Sequence, residues 1–595
     1  MRFSRYFSST DRQKRLYFLL GMLVVYGFVV VASTFAQDVG DTEYRAFPKI
    51  GSRHAAWIAA QLHLLFGSFI LGVPMFAVVI EFVGIKTKDF RYDKMAQEFI
   101  KLCMAAFSTT ALLGGVLVFV LIWCYPRVMN KMTGIFGPTM ILYVFLFFGE
   151  TFTLYLYSYG WDKMQNRKGW HLFLGVLLNV FGTAIMFISN AWLTYQTSPS
   201  GIDEETGNFI GTTWQAVNNF TWMPINIHRL IGNVAFGGAI VAAYAAFRFL
   251  VAKTQEDKAH YDWMGYTGNF IALCGLIPLP FAGYWLGREI YLYNQTMGIN
   301  MMGSLFSWLF IIQAVMIGVL FIGANYYLWS GMSRIEGAER YARYRPIMVA
   351  VIVVCVAVWM TPRTLIMSPK ELAAIGGPNH PLVGFFGLMT AKNTAVNIII
   401  LTTFLSFLFY RRSGKTPTKG WSKIGNIAIA VIFAFAVVTI VTIGIAGFKV
   451  RSDVRVNVLT PIQVLVALIV MVSVTIIDLI MYRRAMVAGT IKWGQMTERS
   501  QYVLILLAIT FTSLMGLMGY ARSGLRENWH IFGVQADTSP DSFTPPLGDA
   551  VNVIAIIMVI FFALVGFIFW IGLLGEKQKD SDEHIEVKAV SGSDD

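Results

Sequence analysis

The sequence predicts an all-α, polytopic membrane protein with about 14 transmembrane helices, and three observations support this fold class. Hydrophobic residues make up 56% of the 595 residues, and charged residues only 14%. Apolar runs of about 20 residues, the length that crosses a bilayer core, recur along the whole chain. Basic residues cluster in alternate connections between these runs, which is the positive-inside pattern of membrane proteins.

Fourteen runs meet the length and apolarity that a membrane-spanning helix requires. With this number, the strongly basic connections all fall on one side, which the positive-inside pattern assigns to the cytoplasm. The predicted spans are 16–36, 56–84, 100–125, 137–160, 172–194, 225–250, 262–287, 303–331, 346–362, 381–411, 424–447, 460–483, 502–520 and 551–575.

The first span can be read as a retained anchor or as a signal peptide. A basic segment precedes it, and "STFA" before Gln37 could be a cleavage site, but the apolar stretch is long for a signal peptide, which favours an anchor. At the other end of the chain, residues 577–595 are polar and are predicted to be a disordered cytoplasmic tail.

The net charge of +13 comes from basic residues in alternate loops. This distribution indicates the orientation of the chain in the membrane and not a nucleic-acid partner. The four cysteines form no CxxCH motif, which excludes a haem attached covalently to this chain.

Two predicted spans carry a histidine followed by a glycine four residues later. These pairs are His63 with Gly67, and His228 with Gly232. Residues four apart lie on one helix face, so a flat macrocycle ligated by the histidine would find room over the glycine. Arg229 would then meet a propionate, although helix crossing through small residues would also explain these glycines. Both spans enter from the outer side, so both histidines are expected at a similar depth.

Three further polar residues lie in or next to apolar spans. Glu150 is deeply placed, and a glutamate in hydrocarbon should be neutral or paired, which favours a proton route over a purely structural bond. Asp478 is expected to pair with Arg483 and Arg484, which follow it closely. His171 begins a span on the inner side and is expected to be solvated.

Four stretches resemble, in order, helices of subunit I of cytochrome bd ubiquinol oxidase. His63 is followed eighteen residues later by Glu81, as in the first helix of the family. The stretch "GIFGPTMILYVFLFFGETFTLYLYSYGWDKM" is similar to the third helix, with its carboxylate and terminal GWD. "FISNAWLTYQTSPSG" is similar to the Asn-x-Trp end of the fourth helix, and "NIHRLIGNVAFGGA" resembles the helix whose histidine ligates the low-spin b haem.

The later sequence departs from the family pattern. Only "YLYNQTMGINMMGS" stands where the family has a long quinol-binding loop, and Met316 lies in the span that supplies a methionine to the low-spin haem. No glutamate stands at "WMTPR", where the family has its third haem ligand. Leu142 and Tyr143 replace the second carboxylate of the third helix. At most two haems are therefore expected.

The resemblance implies a haem-bearing electron-transfer subunit of a respiratory complex in the bacterial cytoplasmic membrane. Haem b is expected at one or two sites toward the outer face, with haem d as an alternative. His228 and Met316 would ligate the low-spin haem, and His63 would ligate the second. Electrons would come from quinol or an outer c-type cytochrome and go toward oxygen, with other membrane subunits as partners. Protons would pass Glu81 and Glu150.

The span pattern and the resemblance together predict four regions: an N-terminal anchor or signal segment with an outer loop (1–54), a haem-binding membrane domain (55–412), an additional four-helix membrane segment outside the resemblance (413–576) and the tail (577–595). Two alternatives remain. One is a quinone and cytochrome c electron conduit that does not reduce oxygen. The other is an ion-coupled transporter, which leaves the two histidine–glycine pairs unexplained.

Overall fold

The chain folds into a bundle of long α-helices in the computed structural model, which describes residues 42–364, 374, 385–487, 489, 491–542 and 547–568. Numbered in chain order, the long helices are α1 (Ser52–Thr87), α2 (Phe90–Cys124), α3 (Pro126–Gly160), α4 (Lys168–Tyr195), α5 (Trp222–Val251), α6 (Gln255–Leu276), α7 (Leu279–Tyr293), α8 (Ser307–Met332), α9 (Arg345–Trp359), α10 (Met389–Arg412), α11 (Ser422–Ala446), α12 (Thr460–Met481), α13 (Glu498–Gly524) and α14 (Leu547–Ile568).

Short elements connect the long helices. Helical turns occur at Gln165–Arg167, Thr213–Val217, Gln295–Asn300, Ser304–Phe306, Glu339–Ala342, Ser452–Val454 and Arg455–Leu459. Two small antiparallel sheets complete the described part, one pairing β1 (Lys415–Thr416) with β2 (Met486–Val487), the other β3 (Trp529–Ile531) with β4 (Gln535–Ala536).

The described residues contain 13 segments that are long and apolar enough to cross a membrane, and these confirm 13 of the predicted spans. The remaining prediction, 16–36, lies outside the described residues, as does the tail. The predicted span 262–287 is broken into α6 and α7 because Pro278 and Pro280 interrupt the backbone hydrogen-bond ladder there.

Helices α1 and α5 form the centre of the bundle and run parallel. Their contact depends on small residues: a side chain at Gly72 would clash with the backbone of Asn233, and Gly237 lies against Val73 and Phe76. This pairing aligns residue 72 of one helix with residue 233 of the other. We call the end where α1 and α5 begin the histidine end, and the end where they finish the basic-loop end.

Helix α13 comes from the predicted additional segment, yet it packs along both α5 and α8. It runs antiparallel to α5: the rings of Phe236 and Phe511 lie 6.1 Å apart, while Arg229, earlier on α5, neighbours Arg522, later on α13. Helices on the two sides of the predicted boundary at residue 412 therefore pack against each other.

Candidate functional site

The His63 ring lies between α1 and α2 in a fixed orientation. Its Nδ1 atom lies 3.0 Å from the carbonyl oxygen of Thr110. Because a carbonyl only accepts hydrogen bonds, Nδ1 carries the proton, and Nε2 keeps its lone pair, as a metal ligand requires. Gly114 leaves the space for the ring, since a Cβ there would lie 2.9 Å from Cε1. At Gly67 a Cβ would meet open space.

The His228 imidazole makes no hydrogen bond within the part of the chain that the structure describes. It faces Gly283 of α7, where a Cβ would lie 3.6 Å from both Cδ2 and Nε2. One turn along α5, a Cβ on Gly232 would meet only Leu279, at 3.7 Å. A polar ring inside a helix bundle is costly without a partner, so this position suits a ligand more than a packing residue.

The two histidines lie near the same end of the bundle. The alignment of residue 72 with residue 233 places His228 at the level of Gly67, four residues from His63. At the rise of an α-helix, that offset is about 6 Å along the bundle axis. The expectation of similar depth along the bundle agrees with this geometry.

Polar groups surround Arg229, the residue after His228. Its Nη1 donates to Oδ1 of Asn190 at 2.5 Å, and Nδ2 of Asn190 donates to Oδ1 of Asn226 at 2.7 Å. Asn190 is the asparagine of the Asn-x-Trp stretch, so the structure gives that motif a definite contact. Nδ2 of Asn226 is buried and has no partner among the described residues.

Two arginines that the sequence reasoning missed lie in this region: Arg522 neighbours Arg229, and Arg526 neighbours Arg522. Arg522, on α13, has a buried Nη1 without a hydrogen-bond partner in the described ranges. Arg526 follows α13 and donates to Oε1 of Gln196 at 3.0 Å and to the carbonyl of His530 at 2.6 Å. Burial and the neighbouring Arg522 lower the pKa of Arg526 to about 9. Arg229, which neighbours His228, therefore has a second buried arginine, Arg522, close to it.

Glu150, the predicted proton carrier, is buried on α3 with 6% of its surface exposed. A Cβ on Gly182 would lie 2.9 Å from both its Oε1 and Leu71 of α1, so Glu150 lies at the level of Leu71. This level is about 12 Å from His63 and about 15 Å from Glu81 along α1. Within the described residues, the Glu150 carboxyl group has no hydrogen-bond partner.

Glu81 lies in a fully paired cluster toward the basic-loop end. Its carboxylate accepts from the Tyr157 hydroxyl at 2.7 Å and lies 2.7 Å from Nδ1 of His171. Lys168 lies 3.6 Å from it and 2.6 Å from Asp93. The expectation that His171 is solvated was wrong: its ring is completely buried because α4 begins at Lys168 and turns His171 toward α1.

The expected partners of Asp478 were also wrong. Its carboxylate bonds Nε of Arg412 at 2.6 Å and also pairs with Arg411. Both arginines end α10, which packs against α12, whereas Arg483 and Arg484 follow α12 in a turn. The prediction failed because it chose the arginines nearest to Asp478 in the sequence and not those on the neighbouring helix.

Met316, predicted as a haem ligand, lies on α8, whose main neighbours are α13, α10 and α9. Helix α5, which carries His228, is not among these main neighbours. The structure therefore does not bring Met316 beside His228, and its role stays a prediction.

A different methionine faces α5. Met518 lies on α13 between Phe511 and Arg522, seven residues after the first and four before the second, so all three share one helix face. Phe511 contacts Phe236 of α5, and Arg522 neighbours Arg229, so this face is turned toward α5. The antiparallel alignment places Met518 at about the level of Arg229, directly after His228.

Comparisons with known proteins agree on one family. Residues 52–307 match the family model described as cytochrome bd terminal oxidase subunit I. A Bacillus subtilis (strain 168) protein that carries the provisional name cytochrome bd menaquinol oxidase subunit I is 24% identical over 199 residues. That alignment covers 33% of this chain and 44% of the relative, less than half of its length.

A solved structure was also found, the bd oxidase from Geobacillus thermodenitrificans. The likeness covers 73% of this chain and 98% of the other, with 15% sequence identity and a TM-score of 0.40.

Proposed function

Since residues 52–307 belong to the cytochrome bd terminal oxidase subunit I family, we propose that this chain is a haem-bearing electron-transfer subunit of a respiratory complex. The family is one of terminal oxidases, and its members imply haem cofactors. The finer proposal is that electrons from quinol or an outer c-type cytochrome pass through this chain toward oxygen reduction. The proposed location is the bacterial cytoplasmic membrane, with the histidine end toward the outer face.

The residues at the histidine end fit such a cofactor. The observation that carries the proposal is the His228 imidazole, which has no partner in the described residues and faces a glycine of α7. His63 would hold a second haem through Nε2, since Thr110 already occupies Nδ1. A bound haem supplies one-electron chemistry, and one with an open axial position also supplies oxygen binding.

The chain's own contribution beyond ligation is proton supply. Glu150 lies between the histidine end and the Glu81 cluster, and its carboxyl group can accept and release a proton. Glu81, which lies nearer the basic-loop end and is bonded to Tyr157 and His171, would be the next group on this route. Together these groups support a route across most of the bilayer.

A specific observation favours a second candidate, an electron conduit that does not reduce oxygen. Only a short helical turn, Gln295–Asn300, and one further turn lie between α7 and α8, where the family has a long quinol-binding loop. Reduced-minus-oxidised spectra with carbon monoxide separate the two candidates, because only a haem with an open axial position binds this gas.

The primary test is a pyridine haemochrome assay, with iron analysis, on the purified full chain. We expect at most two haems in the parent protein, the loss of one in His228→Ala, and the loss of another in His63→Ala. His54→Ala is the matched control, because His54 also lies at the histidine end but pairs with Asp549 at 2.6 Å. A parent without haem, or unchanged haem content in both variants, would refute the proposal.

A further inference from the structure

The buried face that helix α13 turns toward α5 lies beyond the residues that match the family model. Phe511 contacts Phe236 on this face, and Arg522 reaches the neighbourhood of Arg229 nearer the histidine end. A helix outside the recognised region therefore contributes directly to the surroundings of His228.

Within the described residues, Arg522 carries one unsatisfied hydrogen-bond donor. Its Nη1 is buried without a hydrogen-bond partner in the ranges that the structure describes. Arg229 is held by the neutral side chain of Asn190, and Arg526 by Gln196 and a backbone carbonyl. Asp537 is a charged neighbour of Arg526, but Arg229 and Arg522 have no ion pair with a carboxylate among the described residues. A buried cation without an anion is unfavourable, so these two arginines favour a negatively charged occupant.

A planar guanidinium group has the geometry to bind a carboxylate through two parallel hydrogen bonds. We propose that Arg522, together with Arg229, binds the carboxylate side groups of the porphyrin that His228 holds. This inference rests on the proposed function. It gives the additional segment a role in the haem site, because α13 would supply the arginine that binds the porphyrin carboxylates.

The proposal has an electrostatic consequence that can be measured without turnover. A positive charge beside the porphyrin carboxylates disfavours the extra positive charge of ferric iron, so removing it should make the haem harder to reduce. For Arg522→Gln, we expect about a tenfold change in the reduction equilibrium constant, which for one electron lowers the midpoint potential by about 59 mV. Arg522→Lys should retain most of the parent potential, because it keeps the charge.

The experiment is a redox titration of the low-spin haem in the purified full chain, combined with resonance Raman spectra of the propionate bending bands. Arg340→Gln is the matched control: it removes the same charge at the basic-loop end, where Arg340 donates to backbone carbonyls. We expect the potential and the propionate bands to change in Arg522→Gln and to stay at parent values in Arg340→Gln. If Arg522→Gln loses haem while Arg522→Lys retains it with the parent bands, the inference is equally supported.

The outcomes separate the two levels of the proposal. A parent protein without haem would overturn the proposed function, and this inference with it. A haem-containing parent whose potential and propionate bands are the same in Arg522→Gln would overturn the inference alone. Equal shifts in Arg522→Gln and Arg340→Gln would also overturn it, because they would reflect net charge and not a local contact.

Discussion

Buried charge is arranged differently at the two ends of the helix bundle. At the basic-loop end, buried carboxylates face cations: Asp478 bonds Arg412 at 2.6 Å, and Asp262 pairs with Arg334. At the histidine end, Arg522 has an Nη1 without a partner among the described residues, and the His228 ring faces Gly283 of α7. The carboxylate–arginine pairs of the basic-loop end neutralise each other within the chain, whereas Arg522 and His228 are groups that the proposed cofactor would contact.

The largest expected effect comes from breaking one of the pairs at the basic-loop end. Asp478→Asn leaves Arg412, whose side chain is 8% exposed, without its counter-charge. We expect a loss of about 3–5 kcal/mol of stability, as for other broken buried pairs. The measurement is thermal or denaturant unfolding of the purified protein in detergent.

The control for that prediction is Asp453→Asn. Asp453 pairs with Arg451 at 3.3 Å, but the two side chains are 55% and 87% exposed. An exposed pair contributes little, so this variant should unfold like the parent. Equal destabilisation by both variants would show that burial at the basic-loop end does not decide the cost.

A smaller effect is expected between the two ends, at Glu150. Glu150→Gln keeps the size and hydrogen-bonding capacity of the side chain but removes its titratable proton. We expect unchanged haem content and about a hundredfold slower proton uptake after rapid reduction, the lower part of the range for a positioned proton donor. Stopped-flow mixing with a pH indicator dye measures this rate.

Glu98→Gln provides the comparison for Glu150. Glu98 lies at the basic-loop end, 3.5 Å from His260, so its loss removes a carboxylate without touching the level of Leu71. We expect the parent rate of proton uptake in this variant. A parent rate in Glu150→Gln as well would leave Glu150 with a structural role only.

The smallest expected change in stability comes from replacing Met518 or Met316. These variants test which methionine belongs to the His228 site. Met518→Leu and Met316→Leu are nearly volume-conserving, so each should cost less than about 1.5 kcal/mol. The structure favours Met518 as the partner of His228, since it lies on the face of α13 that contacts α5. We expect the low-spin haem spectrum to change in Met518→Leu only. A change confined to Met316→Leu would restore the sequence-based assignment.

The helices could be predicted from the sequence because each span carries its own signal. The thickness of the bilayer imposes about 20 apolar residues on every crossing. Within the described residues, 13 of the spans predicted in this way are helices long and apolar enough to cross a membrane. The break between α6 and α7 was missed, although Pro278 and Pro280 mark it locally. A hydropathy average over about 20 residues does not detect such a break, because the residues on both sides of it are apolar.

The candidate site could be predicted only where its signal was local. His63 and His228 are conspicuous as imidazoles in apolar runs. Arg522 was missed because its position beside Arg229 depends on how α13 packs, and the chain separates the two by nearly 300 residues. The pairing of Asp478 with α10 was missed for the same reason. A polar residue near the end of an apolar span could have directed attention to Arg522.

The glycine contact between α1 and α5 fixes the distance between the imidazole rings of His63 and His228. Because Gly72 lies directly against the backbone of Asn233, the axes of the two helices have a fixed separation and a fixed register. Any side chain at Gly72 would push the helices apart and lengthen the path between the rings of His63 and His228. Electron tunnelling slows steeply with distance, so this contact, which carries no charge and no redox chemistry, would set the speed at which the two sites exchange an electron.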